Sequence, residues 1–539
     1  MSFTKINASA ATLSKNRTED SISHISGMCA TCVDGCIGMC EIGKSAYRGA
    51  EMIYPQPFGI ITTASEKDYP VDYGHLTILG TAIGAQGIEE DSDKAIFPNV
   101  NLERPIGREG QITASLPFVI AAMGSTKVAS INWDGLATGA ALSGVPMAIG
   151  ENVVGMDMQA EISKGRVLKS PELERRIRTY TDWQIDGRGQ IILQTNVEDT
   201  RLGVAEFAIE HLGVEAVELK WGQGAKNIGG EVMITDLAKA QELYRRGYVV
   251  LPNPLDPEVI EAFEAGSFHE FERHSRVGMI SEESFLARVE QLRSAGAKYI
   301  TLKTGAFRPA DLARALKWAS LAELDLLTVD GAGGGTGMSP WRMMNEWGVP
   351  ALELHSLLWQ MADSLASRGE YVPDLALAAG FTMEDQIFKG LALGAPYVKL
   401  IAMARAPLAA AMVGKTLGKH IDEGSLPVFV DRFGKSTEEI FVTAPEVKRL
   451  VGADRFKDVP TGALGVYTYF SRLAQGMKQL MAGARKFDLS LIDRADVACL
   501  TQEATRVTGL EYITHVDADE VEDILEGRMS QVRLESVSN

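Results

Sequence analysis

Five cysteines occur in 539 residues, and four of them fall within twelve positions: Cys29, Cys32, Cys36 and Cys40, spaced CxxCxxxCxxxC. On a helix these positions would share one face. Gly35 and Gly38 argue instead for a looser path wrapped around something. Thiolates at this density favour a soft metal, and four of them suit a [4Fe–4S] cluster or Zn²⁺. Buried structural thiols are the plain alternative. No histidine pair or second cysteine pair accompanies them, which favours iron–sulfur over zinc. Cys499 stands alone among apolar neighbours and reads as core.

A second candidate is the stretch from Asp325 to Pro340. A short apolar run, Leu326 to Asp330, breaks into a loop with Gly331, Gly333, Gly334, Gly335 and Gly337 around Thr336. Glycines let backbone N–H groups approach a flat or anionic ligand closely. Trp341 to Trp347 then reads as a helix with Pro340 at its start. No Gly-Lys-Ser/Thr follows, which excludes a P-loop, and Thr336 stands where a GxGxxG register begun at Gly331 needs glycine. Charged residues close other apolar runs: Glu151, Lys220, Lys303 and Asp330.

The elements that would carry these residues are short apolar runs alternating with helical stretches. Candidate strands are Phe118–Met123, Ala129–Trp133, Val145–Ile149, Ile191–Thr195, Ala216–Lys220, Tyr299–Lys303, Leu326–Asp330, Asp374–Ala378 and Tyr397–Ile401. Helical stretches include Ser281–Ala295, Pro309–Trp318 and Met383–Leu393. Alternation of β and α predicts a parallel sheet with crossovers. Nine runs are one more than a (β/α)₈ barrel needs, so one early run is not expected in the barrel. In such a barrel the strand ends gather on one face, where the active site lies. Residues 223 to about 280 are too long for a simple crossover and are expected to be a functional loop region.

Three motifs together resemble the FMN domain of the glutamate synthase family. Gly334-Gly335-Thr336-Gly337-Met338-Ser339-Pro340 resembles the family's Gly-Gly-Thr-Gly-Ala-Ser-Pro flavin loop. Glu218-Leu219-Lys220-Trp221-Gly222-Gln223-Gly224-Ala225-Lys226 resembles its Glu-Ile-Lys-x-x-Gln-Gly-Ala-Lys, and Ile300-Thr301-Leu302-Lys303 its Val-Lys-Leu strand. Gly150-Glu151-Asn152-Val153-Val154-Gly155 matches Gly-Glu-Gly-Gly-Glu in part. The resemblance runs over roughly residues 115 to 415. It implies an FMN-binding TIM barrel in which Lys220, Gln223, Lys226 and Glu151 serve catalysis on a 2-oxo acid. It implies cofactor contacts from Lys303, Asp330, Gly333, Gly334, Gly335, Thr336 and Gly337. The last two barrel loops, with Gly380, Phe381, Ala402 and Arg405, suit the phosphate, as in other phosphate-binding barrels. A lysine near the ring would stabilise the anionic reduced flavin.

The sequence departs from the family in three ways. The amidotransferase domain and its N-terminal cysteine have no counterpart in Met1-Ser2-Phe3. Ile401 to Lys419 contains no cysteine where the family holds a [3Fe–4S] cluster. The second glutamate of Gly-Glu-Gly-Gly-Glu is missing. The expected layout is an arm with the cysteine motif over residues 1–50, an approach segment over 51–116, the FMN barrel over 117–430 and a helical extension over 431–539. The expected activity carries electrons from a [4Fe–4S] cluster at Cys29 to Cys40, through FMN, to an imine of 2-oxoglutarate and ammonia. Other readings are an FMN-barrel oxidoreductase acting on an N-substituted amino acid or hydroxy acid, or an electron-transfer subunit. The partners implied are a ferredoxin, a separate electron donor or an amidotransferase subunit, and the protein is expected to be oligomeric.

The bulk composition agrees. Apolar residues make up 45% and charged residues 23%, as in soluble globular proteins. A formal charge of −18 argues against nucleic acid and anionic membranes as partners. No apolar run approaches the roughly 20 residues that span a bilayer. Met1 to Ser21 lacks an apolar signal core, so a cytoplasmic location is expected.

Overall fold

The computed structural model describes residues 34, 36–37, 40–54, 69–222, 227–333 and 338–528. Eight parallel strands close into a barrel. They are β1 (Phe118–Met123), β2 (Met147–Ile149), β3 (Ile191–Thr195), β4 (Ala216–Lys220), β5 (Tyr299–Thr304), β6 (Leu326–Asp330), β7 (Asp374–Ala378) and β8 (Val398–Met403). β8 pairs with β1, Ile401 opposite Phe118, and this pairing completes the ring. The helices after the eight strands are α1 (Lys127–Leu142), α2 (Pro171–Thr181), α3 (Val204–Leu212), α4 (Glu282–Ser294), α5 (Pro309–Leu321), α6 (Ala351–Ala366), α7 (Glu384–Gly394) and α8 (Arg405–Asp422). The fold is a (β/α)₈ barrel.

Strand periodicity divides the side chains between two cores. Ile300, Leu302, Leu327, Val329, Leu375 and Leu377 point outward to the helix layer and are buried there. Residues of the opposite parity face the barrel interior, where Val119, Ala121, Leu326, Ala376, Ala378, Leu400 and Ala402 form a separate cluster. That interior cluster is completed from outside the barrel. A hairpin of Arg104–Ile106 and Ile112–Ala114 contributes Ile106, Ile112 and Ala114. Its turn is tied to the strand starts: Gly107 N donates to Asp374 Oδ2 at 2.9 Å, and Arg108 N to Asp325 Oδ1 at 3.2 Å. The hairpin therefore closes the N-terminal end of the barrel and leaves the C-terminal end as the mouth.

One expected strand is not a strand. Ala129–Trp133 lies inside α1, a helix capped by Thr126, whose side chain accepts from Ala129 N. The run looked like a strand because most of α1 is buried, including Trp133 and every residue from Leu136 to Leu142, and it has little polar periodicity to reveal a helix. The region from 223 to 280 also differs from the expected loop. Its described part, 227–280, folds as a three-stranded antiparallel sheet of Glu231–Ile234, Phe271–His274 and Val249–Leu251, with helices Leu237–Arg245 and Pro257–Glu264. Ile234, Ala240, Leu243, Tyr248, Val250 and Phe271 give it a small core of its own.

After α8 the chain is mostly helical, as expected, and its main element is α9 (Thr461–Gly483). α9 lies against α1 and α8 through glycines: a Cβ on Gly465 would sit 2.4 Å from the Ala410 carbonyl oxygen, and one on Gly135 2.9 Å from Gly462 Cα. The segments before and after the barrel also meet each other. Leu76–Ile78 pairs antiparallel with Val497–Cys499, and bridges join Gln86 to Lys486 and Asn101 to Asp488. Cys499 is fully buried in that contact, which agrees with its reading as core. Among the described residues no helix is long and apolar enough to cross a membrane.

Candidate active site

The mouth of the barrel is charged because the last inward-facing residues of adjacent strands are charged. β4 and β5 run in register, so Lys220 and Lys303 are direct neighbours at their C-terminal ends. Each meets a carboxylate. Lys220 Nζ donates to Glu151 Oε1 at 2.5 Å, and Lys303 Nζ lies 3.6 Å from Asp330 Oδ2. Both lysine side chains are largely buried, at 11% and 7% exposure. Thus Glu151, Lys220, Lys303 and Asp330, from the ends of four different strands, form one constellation.

Two residues beneath it were not among the expected site residues. Glu218 lies two positions before Lys220 on the same inward face and is buried. Gln194 Nε2 donates to Glu218 Oε1 at 2.6 Å. Burial raises the Glu218 pKa; the Lys303 charge, the Gln194 bond and the Lys220 charge work against that rise. Among the described residues two cations and three carboxylates therefore share the upper barrel, a set in which a proton or a further cation is favoured electrostatically. The signal for Glu218 was present: a glutamate at i−2 from an inward lysine must also face inward.

Beside this group, Asp199 accepts from Asn152 N at 2.9 and 3.2 Å, and burial lifts it to about 7 despite those bonds and that from Asn196 N. Arg273 of the inserted sheet is buried at 2% exposure, lies over the Tyr248 ring at 5.1 Å, and feels the charges of Glu198, Glu151 and Asp199. Its Nε and Nη1 have no partner among the described residues. Gly150 permits the approach of β1 and β2 at the mouth, since a Cβ there would lie 2.3 Å from Gly124 N.

The opposite side of the mouth is built from the last loops. Gly333 and Gly380 have φ of 95° and 79°, backbone that favours glycine. Ala378 and Ala402 are small inward residues at the ends of β7 and β8. Arg405 opens α8, and burial lowers its pKa. Phe381 turns away from the mouth: its ring packs against Tyr73 at 5.1 Å and against His355 at 6.0 Å, so it can offer a ligand its backbone but not its ring. His355 is buried, held near pKa 3 by that burial, and its Nδ1 shares a 2.6 Å hydrogen bond with the Tyr73 hydroxyl.

Several expected site residues lie outside the described residues: Gln223, Lys226, Gly334, Gly335, Thr336 and Gly337, together with Cys29 and Cys32. Cys36 is exposed, whereas Cys40 is buried and caps the helix Glu41–Arg48, its sulfur accepting from Gly43 N at 3.4 Å.

The chain is a (β/α)₈ barrel with paired lysines and carboxylates at its mouth. Residues 273–414 match the model of the conserved region in glutamate synthase. They carry β5 to β8 with Lys303, Asp330, Gly380 and Arg405, so the family match and the motif resemblance coincide over this half of the barrel. No curated protein matches the chain. Solved structures similar to it include the recombinant flavin-binding domain of baker's yeast flavocytochrome b2, 13% identical over 83% of this chain and 81% of that chain, with a TM-score of 0.44. A mandelate oxidase variant is 14% identical over 78% and 87%, with a TM-score of 0.42. A Pediococcus acidilactici protein described as lactate oxidase is 15% identical over 77% and 81%, with a TM-score of 0.41.

Proposed function

We propose that this protein is an FMN-dependent oxidoreductase of glutamate synthase type that reduces the imine of a 2-oxo acid, 2-oxoglutarate with ammonia, to an amino acid. The observation that carries the reading is the side-by-side placement of Lys220 and Lys303 at the barrel mouth, each beside a carboxylate, within a barrel whose second half matches the glutamate synthase region.

The residues fit FMN. Small Ala378 and Ala402 leave room for a flat ring, Gly333 and Gly380 allow close backbone approach, and half-buried Arg405 at the start of an 18-residue helix suits a phosphate. FMN would supply hydride transfer when bound, and Cys29, Cys32, Cys36 and Cys40 would hold a [4Fe–4S] cluster that supplies single electrons. Lys303 compensates negative charge on the ring, with Asp330 setting its position. Lys220, oriented by Glu151, holds a substrate carboxylate or polarises the imine, with Gln223 and Lys226 as further donors. Glu218 beneath the two lysines adds a third carboxylate to the mouth, and Gln194 fixes its carboxyl. A ferredoxin or a separate donor subunit delivers the electrons.

The test is an anaerobic assay of the full-length protein with reduced viologen, ammonia and a series of 2-oxo acids, reading amino acid formed. Glutamate from 2-oxoglutarate supports the reading. Bound, reducible FMN with no amino acid from any 2-oxo acid overturns it in favour of an electron carrier.

A further inference from the structure

The inserted sheet carries a group of side chains unrelated to the lysine pairs at the mouth. Glu231 and His274 are cross-strand neighbours, and Glu272 lies two residues before His274 on the same face. One donor atom from each of Glu231, Glu272 and His274 can be chosen so that all lie within 4.8 Å of one another. His274 Nε2 is 3.1 Å from Glu272 Oε2. The three line a cavity of about 1240 Å³ whose other walls include Tyr54, Lys239 and Met338, the last lying one residue past the glycine loop.

We propose that Glu231, Glu272 and His274 bind a divalent cation, with its remaining coordination positions open to this cavity. The donor set is mixed, two carboxylate oxygens and one imidazole nitrogen, which suits ions such as Mn²⁺, Fe²⁺ or Zn²⁺. A second observation points the same way. Glu231 is only 8% exposed, yet it stands beside another carboxylate. Among the described residues no lysine or arginine forms an ion pair with Glu231 or Glu272. Lys239 lines the same cavity without reaching either. Tyr54 donates its hydroxyl to Glu231 Oε2, and Glu231 Oε1 takes no hydrogen bond from the described residues. A buried carboxylate with an open oxygen, next to a second carboxylate and an imidazole, is costly alone and is relieved by a cation. Burial and the Glu272 charge accordingly raise the Glu231 pKa. Tyr54 is the partner that orients a ligating carboxylate, and it ties the segment just after the cysteine motif to the inserted sheet.

The experiment is a titration of the full-length holoprotein with Mn²⁺, read as loss of the free-ion EPR signal. Mn²⁺ prefers oxygen and nitrogen ligands, so the cysteine motif does not compete for it. We expect one Mn²⁺ per chain, displaced by Zn²⁺. Glu231→Gln and His274→Ala should weaken binding by at least about 10–100-fold, and Tyr54→Phe by about tenfold. Glu272→Gln changes a side chain that is 46% exposed, so it tests the ligand set in a chain that folds. Cys36→Ser should leave Mn²⁺ binding unchanged. The proposal is overturned by absence of stoichiometric Mn²⁺ binding, or by unchanged affinity in folded Glu272→Gln and His274→Ala.

Discussion

Lys220 is the residue on which the proposed chemistry turns. Its ammonium is largely buried and held 2.5 Å from Glu151, so it has a fixed direction rather than a solvated range. Losing a charge-assisted bond of this kind costs about 1.5–3 kcal/mol, or roughly tenfold to a hundredfold in rate when felt in the transition state. Lys220→Met is expected to lower turnover by that factor with FMN still bound, read as flavin absorbance alongside steady-state rate. His355 gives a different kind of expectation. Burial depresses it to about 3, so between pH 6.5 and 3 the unfolded chain binds a proton that the folded chain does not. Its contribution to stability is complete above about pH 6.5 and is lost as the pH falls below it. Asp199, raised to about 7, works in the opposite sense, so a single wild-type profile mixes the two. The stability difference between wild type and His355→Gln isolates the histidine. In urea melts it should shrink by about 1.4 kcal/mol per pH unit below 6.5. At this scale the sequence displayed the strand-end charges plainly, because each closes an apolar run. It hid Arg273 and Asp199, which reach the site only through an inserted sheet and a helix cap that no local pattern connects.

At the scale of elements, the barrel strands were the most legible part of the chain. Ile191–Thr195, Ala216–Lys220, Leu326–Asp330 and Asp374–Ala378 fall where the apolar runs fall, because a strand covered on both faces needs apolar residues at nearly every position. Ala129–Trp133 met the same criterion for another reason, burial of a helix on several sides. The inserted sheet escaped notice because Glu231–Ile234 and Phe271–His274 are short, half-polar and forty residues apart. Helix packing gives the prediction that belongs here. α9 rests on α8 with no room for a side chain at Gly465, where a Cβ would meet the Ala410 carbonyl oxygen at 2.4 Å. Gly465→Val should destabilise the protein by about 1–3 kcal/mol, seen as a lower melting midpoint. The barrel mouth lies elsewhere, so FMN content at low temperature should be unchanged.

At the scale of the whole molecule, the cysteine motif precedes the barrel in sequence and contributes no strand to it. The proposed cluster and the barrel's stability should therefore be separable. Anaerobically purified protein is expected to hold about four irons and four sulfides per chain. Cys36→Ser should remove them while the far-UV circular dichroism and the FMN remain; zinc without sulfide would exclude electron entry through this motif. With a charge of −18, a proposed electron donor that presents a complementary basic surface should associate faster, at a rate that falls as salt is added.

The pairing of Leu76–Ile78 with Val497–Cys499 has a consequence for how the molecule is made. A ribosome delivers the first of these strands some four hundred residues before the second. During that interval the barrel can close on itself, because β1 through β8 are all available, but the leading segment has no edge to join. The clasp between the two segments that flank the barrel can thus form only after all eight barrel strands have been made. A nascent chain halted before Lys486 would carry a barrel with its leading segment held by Tyr73 and the Arg104–Ala114 hairpin, and with Leu76–Ile78 left as an uncovered edge.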